Sequence, residues 1–251
     1  MTNVLVTGMS GLIGGLLRAD LEKRDGYQLT ALNRREVYGV NSFKADISDL
    51  EAILPAFKGQ DVVVHLAAFL SEEPLENLVS ANIVGARNVF EAARISGVNR
   101  VVFASSGATI KGWENFPPYD AIRDGRYADI PDTWPMITHE MVRPRGLYGA
   151  SKVWGEAVGR HYSDAFGLSV ICVRIGAVGE IDDPVYAKPS ANYLSHRDVV
   201  NILRGAIEAP ADLKYEVVFA TSNNRYGYRD LEHSRKILGF VPDDTDAAAF
   251  Q

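Results

Sequence analysis

The first apolar run, Val4-Leu5-Val6, breaks at Thr7-Gly8 into glycines and resumes at Leu12, Ile13, Leu16, Leu17 and Leu21. That spacing predicts a strand, a tight loop and a helix in immediate succession. Residues 28–32 and 42–45 read as short strands, the second closing on Asp46-Ile47, and 49–57 as a helix. Residues 61–68 run, after the opening Asp61, without polar interruption into small side chains, apart from His65. Continuous rather than alternating hydrophobicity is the signature of a parallel strand covered on both faces. Residues 75–96 predict one long helix, 100–105 a strand, 148–166 a helix and 168–175 another buried strand. A helix over 197–208, a strand over 215–219 and a short last helix complete the pattern. Strands alternating with helices predict an α/β fold, a doubly wound parallel sheet. The expected division is a main domain over 1–175 and a small capping region over 176–251, too short for a core of its own.

Residues 111–147 break the rhythm with Pro117-Pro118, Pro131, Pro135 and Pro144. A stretch of that length inside a domain is usually a lid or a substrate wall. Its Trp113, Phe116, Tyr119, Trp134 and Met136 are expected either to wall an apolar substrate or to pack the stretch onto the body.

Composition narrows the class. The chain has 251 residues, 47% hydrophobic and 23% charged, with a formal charge of −6. That net charge gives no electrostatic case for nucleic acid or an anionic membrane. The one cysteine, Cys172, sits in an apolar run, so no intramolecular disulfide forms and a core thiol is expected. No basic or apolar leader precedes the first strand, and no apolar stretch has the length of a membrane span. A cytoplasmic protein is expected. The five histidines show no ligand spacing, so no metal is expected.

Three stretches carry candidate chemistry. In Gly8-x-x-Gly11-x-x-Gly14 the first glycine allows a sharp turn, the second a close approach of backbone to a pyrophosphate, and the third close packing of helix on strand. An ordinary glycine-rich turn would look the same by itself. Tyr148 and Lys152 stand four residues apart, on one face of a helix, where a cation favours the phenolate and prepares it for acid–base work. An exposed i,i+4 pair is the alternative. Asn33-Arg34-Arg35 ends the second strand, where binders of NAD usually place an acidic residue for the ribose. An uncharged Asn33 followed by two guanidinium groups favours the 2′-phosphate of NADP, with NAD the alternative.

The order of Thr7-Gly8-x-x-Gly11-x-x-Gly14, Asp46-Ile47, His65-Leu66-Ala67-Ala68 and Tyr148-x-x-x-Lys152 resembles the extended short-chain dehydrogenase/reductase superfamily, which includes the epimerases and dehydratases of sugar nucleotides. The resemblance spans residue 3 to about residue 200. Val102-Phe103-Ala104-Ser105-Ser106, Leu147-Tyr148-Gly149-Ala150-Ser151-Lys152 and Val173-Arg174-Ile175-Gly176 look most like uronate dehydrogenases. The resemblance implies a Rossmann domain with Tyr148 as general acid/base and Ser106 on the reacting oxygen. Lys152 would hold the nicotinamide ribose and lower the tyrosine pKa, and Asn82 would support the lysine through water. It further implies cofactor contacts from Gly8, Gly11, Leu12, Ile13, Asn33, Arg34 and Arg35, from Asp46 and Ile47 at the adenine, and from Leu66, Ala67, Ala68 and Ile175.

The sequence also departs from that branch. Gly107-Ala108 stands where Asn-His is usual, Leu70 where a serine is usual, and the substrate-binding arginine falls near Lys188. These changes remove hydrogen-bonding capacity and put a uronate substrate in doubt. The dehydratases need an Asp-Glu pair after the catalytic serine or threonine, and Ser106-Gly107-Ala108 has neither. His196-Arg197-Asp198 resembles a family segment in which Asp198 is expected to cap or pair structurally. The reading is an oxidoreductase that moves a hydride between NADP, or NAD, and a secondary alcohol or ketone of a small, sugar-derived molecule. The alternatives are a sugar-nucleotide epimerase with tightly bound NAD and a non-catalytic dinucleotide sensor. By the same resemblance a homodimer is expected, through helices 75–96 and 148–166.

Overall fold

Seven parallel strands make a single sheet in the computed structural model, which describes residues 1–187 and 189–250. Along the chain β1 (Thr2–Thr7), α1 (Leu12–Leu21), β2 (Tyr27–Asn33), β3 (Asn41–Lys44), α2 (Leu50–Phe57) and β4 (Val62–His65) form the first half. Then come α3 (Leu75–Leu78), α4 (Ala86–Ile95), β5 (Arg100–Ser106), α5 (Tyr119–Asp124), α6 (Gly146–Phe166) and β6 (Ser169–Ile175). The chain closes with α7 (His196–Glu208), β7 (Tyr215–Ala220) and α8 (Leu231–Leu238). The strand order is β3-β2-β1-β4-β5-β6-β7. It reverses direction between β1 and β4, and such a switch point opens a crevice at the carboxyl ends of the strands.

The continuous apolar runs are explained by burial on both faces. Val4, Val6, Val64 and Val102 face a layer built from Leu17 and Leu21 of α1 and Val199 and Leu203 of α7. Leu5, Val63, Val101 and Phe103 face the opposite layer, with Phe57 of α2, Phe90 of α4 and Tyr162 of α6. Each such side chain contributes about 1.5–3 kcal/mol by leaving water. No described helix is long and apolar enough to cross a membrane.

Three features differ from the sequence reading. The long helix expected over 75–96 is α-helical only at its ends. Val79–Gly85 is a π-helical segment between α3 and α4. A widened turn of this kind often accompanies a functional site, and here it carries Asn82, Ser80 and Ala81. Second, the boundary expected after Ile175 falls inside the sheet. β7 pairs with β6 from Val170–Tyr215 to Ile175–Ala220, and α7 packs against α1, so residues beyond 175 complete the main body. Periodicity gives elements but not which sheet they join. Third, residues 111–147 fold against the body rather than forming an open wall. Tyr119, Ile122 and Ile137 form a separate apolar cluster with Ala191, Phe219 and Tyr228, flanked by Trp113 and Trp134. Phe116 and Met136 stay exposed. The packing reading holds for Trp113, Tyr119 and Trp134.

Candidate active site

A cleft of about 700 Å³ lies over the carboxyl ends of the strands at the switch point. A second hollow of about 710 Å³ opens at the amino ends, beside Arg100. That guanidinium is already committed to the carboxyl end of α7, where it donates to the carbonyls of Ile207, Ala209 and Pro210. The cleft at the switch point is where uncommitted chemistry gathers.

The glycine loop forms the floor of the cleft. Gly8 adopts a left-handed backbone (φ 76°), and a Cβ there would stand 2.8 Å from the Ala67 nitrogen. A Cβ on Gly14 would stand 2.6 Å from both the Gly8 oxygen and Met9 Cα. Neither position accommodates a side chain, so strand, loop and helix close up tightly. Gly11 begins α1 with no side chain capping its first turn, and Gly11, Leu12 and Ile13 all line the cleft. Backbone N–H groups at such a helix start suit a phosphate.

Asn33 ends β2 buried against this loop. Its Oδ1 accepts from the Met9 N–H at 3.0 Å, and its Nδ2 donates to Ser10 Oγ at 2.7 Å. The side chain is thus occupied in shaping the loop. Arg34 and Arg35 line the cleft exposed, and neither makes a side-chain hydrogen bond or ion pair to any described residue. Asp46 uses one oxygen, Oδ1, to accept from the N–H and hydroxyl of Ser48. Ile47 beside it is buried and lines the same end of the cleft. Leu66, Ala67 and Ala68 form the wall after β4. The Ala67 N–H donates to Thr7 Oγ1, which lies 2.7 Å from His65 Nδ1. Burial holds the His65 imidazole down at about 3, with Lys152 adding a smaller push, so the ring is neutral.

Ser106, Tyr148, Lys152 and Ile175 gather at the other end of the cleft. Ser106 Oγ accepts from the Ala108 N–H at 3.1 Å and so also caps the turn after β5. Lys152 is buried and donates to the Ala104 carbonyl at 2.7 Å. Burial pushes its ammonium down to about 8, while Cys172 and Glu156 pull it back up. Its Nζ stands 5.7 Å from the centre of the Tyr148 ring. The phenol does not follow the sequence expectation. Burial raises Tyr148 above its ordinary range, and the opposing pull comes from the Ser106 hydroxyl rather than from the lysine.

Asn82 does not line the cleft. It lies buried behind the wall, accepting from the Phe69 N–H and donating to the Phe69 carbonyl and to Ser151 Oγ. Ser151 in turn donates to the Tyr148 carbonyl. Asn82 therefore reaches α6 through Ser151, whereas the sequence resemblance implies a reach to Lys152 through water. Lys188 lies outside the described residues. Asp198 is buried and accepts from Ser222 Oγ and the Asp243 N–H, a structural pairing. Sequence reasoning passed over Ser10, Asn77, Ser80, Val178 and Glu180, all of which line the cleft. Only Ser10 carried a signal, by standing inside the glycine loop.

Residues 4–179 match the NAD dependent epimerase/dehydratase family. The chain belongs to that family. It is 32% identical to an NAD-dependent glucose-6-phosphate dehydrogenase of Haloferax volcanii, over 97% of this chain and 94% of that one. An L-arabinose 1-dehydrogenase (NAD(P)(+)) of the same organism is 31% identical, over the whole of both chains. Among solved structures, a uronate dehydrogenase mutant from Agrobacterium tumefaciens complexed with NAD superposes with a TM-score of 0.81 at 31% identity. That superposition covers 99% of this chain and 87% of the other. The uncapped start of α1, the closed glycine loop and the exposed arginines beside it fit a dinucleotide in the cleft.

Proposed function

We propose that this protein is an oxidoreductase of small, sugar-derived molecules, working on a secondary alcohol or the corresponding ketone. The observation that carries the reading is the convergence of Ser106, Tyr148 and Lys152 opposite the glycine loop in one cleft. Tyr148 would take the hydroxyl proton of the alcohol, or return it to the ketone, while Ser106 holds the reacting oxygen. When bound, the nicotinamide supplies the hydride chemistry. Lys152 would hold the adjoining ribose and keep a positive charge near the phenol. The work of the chain is mainly positioning, setting one substrate carbon between the tyrosine and the dinucleotide. The dehydrogenase names of its relatives support this class of reaction.

We further infer a preference for NADP. Asn33 offers no negative charge to repel a 2′-phosphate, and Arg34 and Arg35 stand exposed beside it. The named cofactor is NAD for two of the relatives and NAD(P)(+) for the third, so NAD remains the competing occupant. A capping role for parts of residues 176–251, a cytoplasmic location and a homodimer through the α3–α4 and α6 faces belong to the same proposal. Exposed Val79 and Val84 on the π-helical segment between α3 and α4, and Leu147 on α6, support the last.

The test is turnover of aldoses, aldose phosphates and uronates with each dinucleotide, in the wild type and in Tyr148→Phe. Loss of a general acid/base costs about 10²–10⁴ in rate. Equal turnover by Tyr148→Phe overturns the mechanism. Product formed without net redox, with dinucleotide retained through purification, selects the epimerase instead. Dinucleotide binding with no turnover selects the sensor.

A further inference from the structure

The last three residues of β5 each engage α6 at successive turns. Ser106 lines the cleft beside Tyr148 and its hydroxyl opposes the effect of burial on the phenol, the Ala104 carbonyl accepts from Lys152 Nζ at 2.7 Å, and Ser105 Oγ donates to Glu156 Oε1 at 2.5 Å. Positions 148, 152 and 156 are spaced by four, so they share one helix face. Only the first two belong to the proposed chemistry. Glu156 is buried, and Arg174 of β6 meets it with two hydrogen bonds, Nε to Oε1 and Nη2 to Oε2, each 2.8 Å. The same guanidinium donates through Nη1 to the Met141 carbonyl at 3.0 Å. Arg174 thus grips the chain on both sides of Tyr148, at Met141 before it and at Glu156 after it. Cys172 of β6 and Tyr215 of β7, whose hydroxyl donates to the Glu156 carbonyl, complete the surroundings.

We propose that Glu156 is a positioning residue, which with Arg174 and Ser105 fixes the rotation and height of α6 so that Tyr148 meets Ser106 and Lys152 meets Ala104. A buried ion pair is a weak source of net stability, because desolvation offsets much of its attraction. What it supplies is a fixed geometry, since two parallel bonds from a planar guanidinium admit one orientation. A displacement of the helix by a fraction of a turn would separate the phenol from the serine.

The experiment compares Glu156→Gln and Ser105→Ala with the wild type. It measures kcat, KM, dinucleotide affinity, melting temperature and the pH profile of kcat. Glu156→Gln is expected to lose about tenfold or more in kcat, with KM and dinucleotide affinity within roughly twofold. Its acid limb should move to higher pH, because a phenol displaced from Ser106 holds its proton more tightly. Deleting a neighbouring negative charge would by itself move the limb the other way, so the direction separates position from charge. Ser105→Ala keeps the ion pair and should show the same pattern more weakly. A folded Glu156→Gln with kcat within roughly twofold of wild type, or with the limb moved down, overturns the proposal. If Glu156→Gln fails to fold, a Ser105→Ala indistinguishable from wild type overturns it as well.

The turnover readout rests on the dehydrogenase reading. A phenolate absorbance titration, with Tyr148→Phe as the blank, reads the same shift without substrate. A wild type that turns over nothing therefore defeats the dehydrogenase reading, and the titration still judges this one.

Discussion

Asn82 holds the Phe69 backbone from both sides, accepting from its N–H at 2.8 Å and donating to its carbonyl at 2.9 Å. A third bond ties it to Ser151 on α6 at 3.1 Å. Phe69 lines the cleft just after the small-residue wall. Asn82 therefore joins the wall to the helix that carries Tyr148.

Replacing Asn82 with Ala removes all three bonds and leaves the half-buried Phe69 N–H and carbonyl without this partner. The expected loss is about 2–3 kcal/mol, taking about 1 kcal/mol per bond. For a chain of this size that corresponds to a fall in Tm of roughly 4–12 °C. Thermal denaturation checks it, and an unchanged Tm would show that the wall stands without the clamp.

Gly14 and Gly15 are adjacent and should respond oppositely to alanine. A Cβ at Gly14 meets two backbone atoms at 2.6 Å, whereas nothing lies within 4 Å of one at Gly15. Gly14→Ala should cost about 1–3 kcal/mol through overpacking and weaken dinucleotide binding. Gly15→Ala should be neutral or stabilising by up to about 1 kcal/mol, as expected within a helix. Melting curves and binding titrations of the two variants test the pair, and equal effects would contradict the described closure.

His65 makes stability depend on pH. Its folded value of about 3 lies below the ordinary histidine value of 6.5, so between those values the unfolded chain binds the extra proton. Stability is therefore complete above about pH 6.5 and falls as the pH drops towards 3. The slope from this one group approaches about 1.4 kcal/mol per pH unit. His65→Gln, which does not titrate, should show a flatter fall in Tm between about pH 6.5 and 4. Parallel curves for the two proteins would remove His65 as the cause.

Arg34 and Arg35 should set the cofactor. Their joint replacement by Gln is expected to weaken NADPH binding by about tenfold or more, through loss of charge-assisted bonds, and to leave NADH binding within roughly twofold. Paired titrations decide it. A wild type that prefers NADH, or a variant that loses both equally, would defeat the NADP assignment.

Much of this protein was legible in the linear sequence. Continuous apolar runs reported strands buried on both faces, because such strands have no wet side to carry polar residues. Glycines at 8 and 14 reported a closed turn, because backbone atoms occupy the space a Cβ would need. The spacing of Tyr148 and Lys152 placed both on one helix face. Other features required the tertiary structure, because they depend on residues far apart in the chain. The π-helical turn at Val79–Gly85 leaves no mark in apolar spacing. That β7 joins the sheet beyond Ile175 is decided by pairing with β6. The environment of Tyr148 was likewise not legible, because burial and the aim of Lys152 at Ala104 are set by β5 packing beneath α6. Local pattern specifies elements and turns; partners, burial and pKa are settled only when separate elements meet.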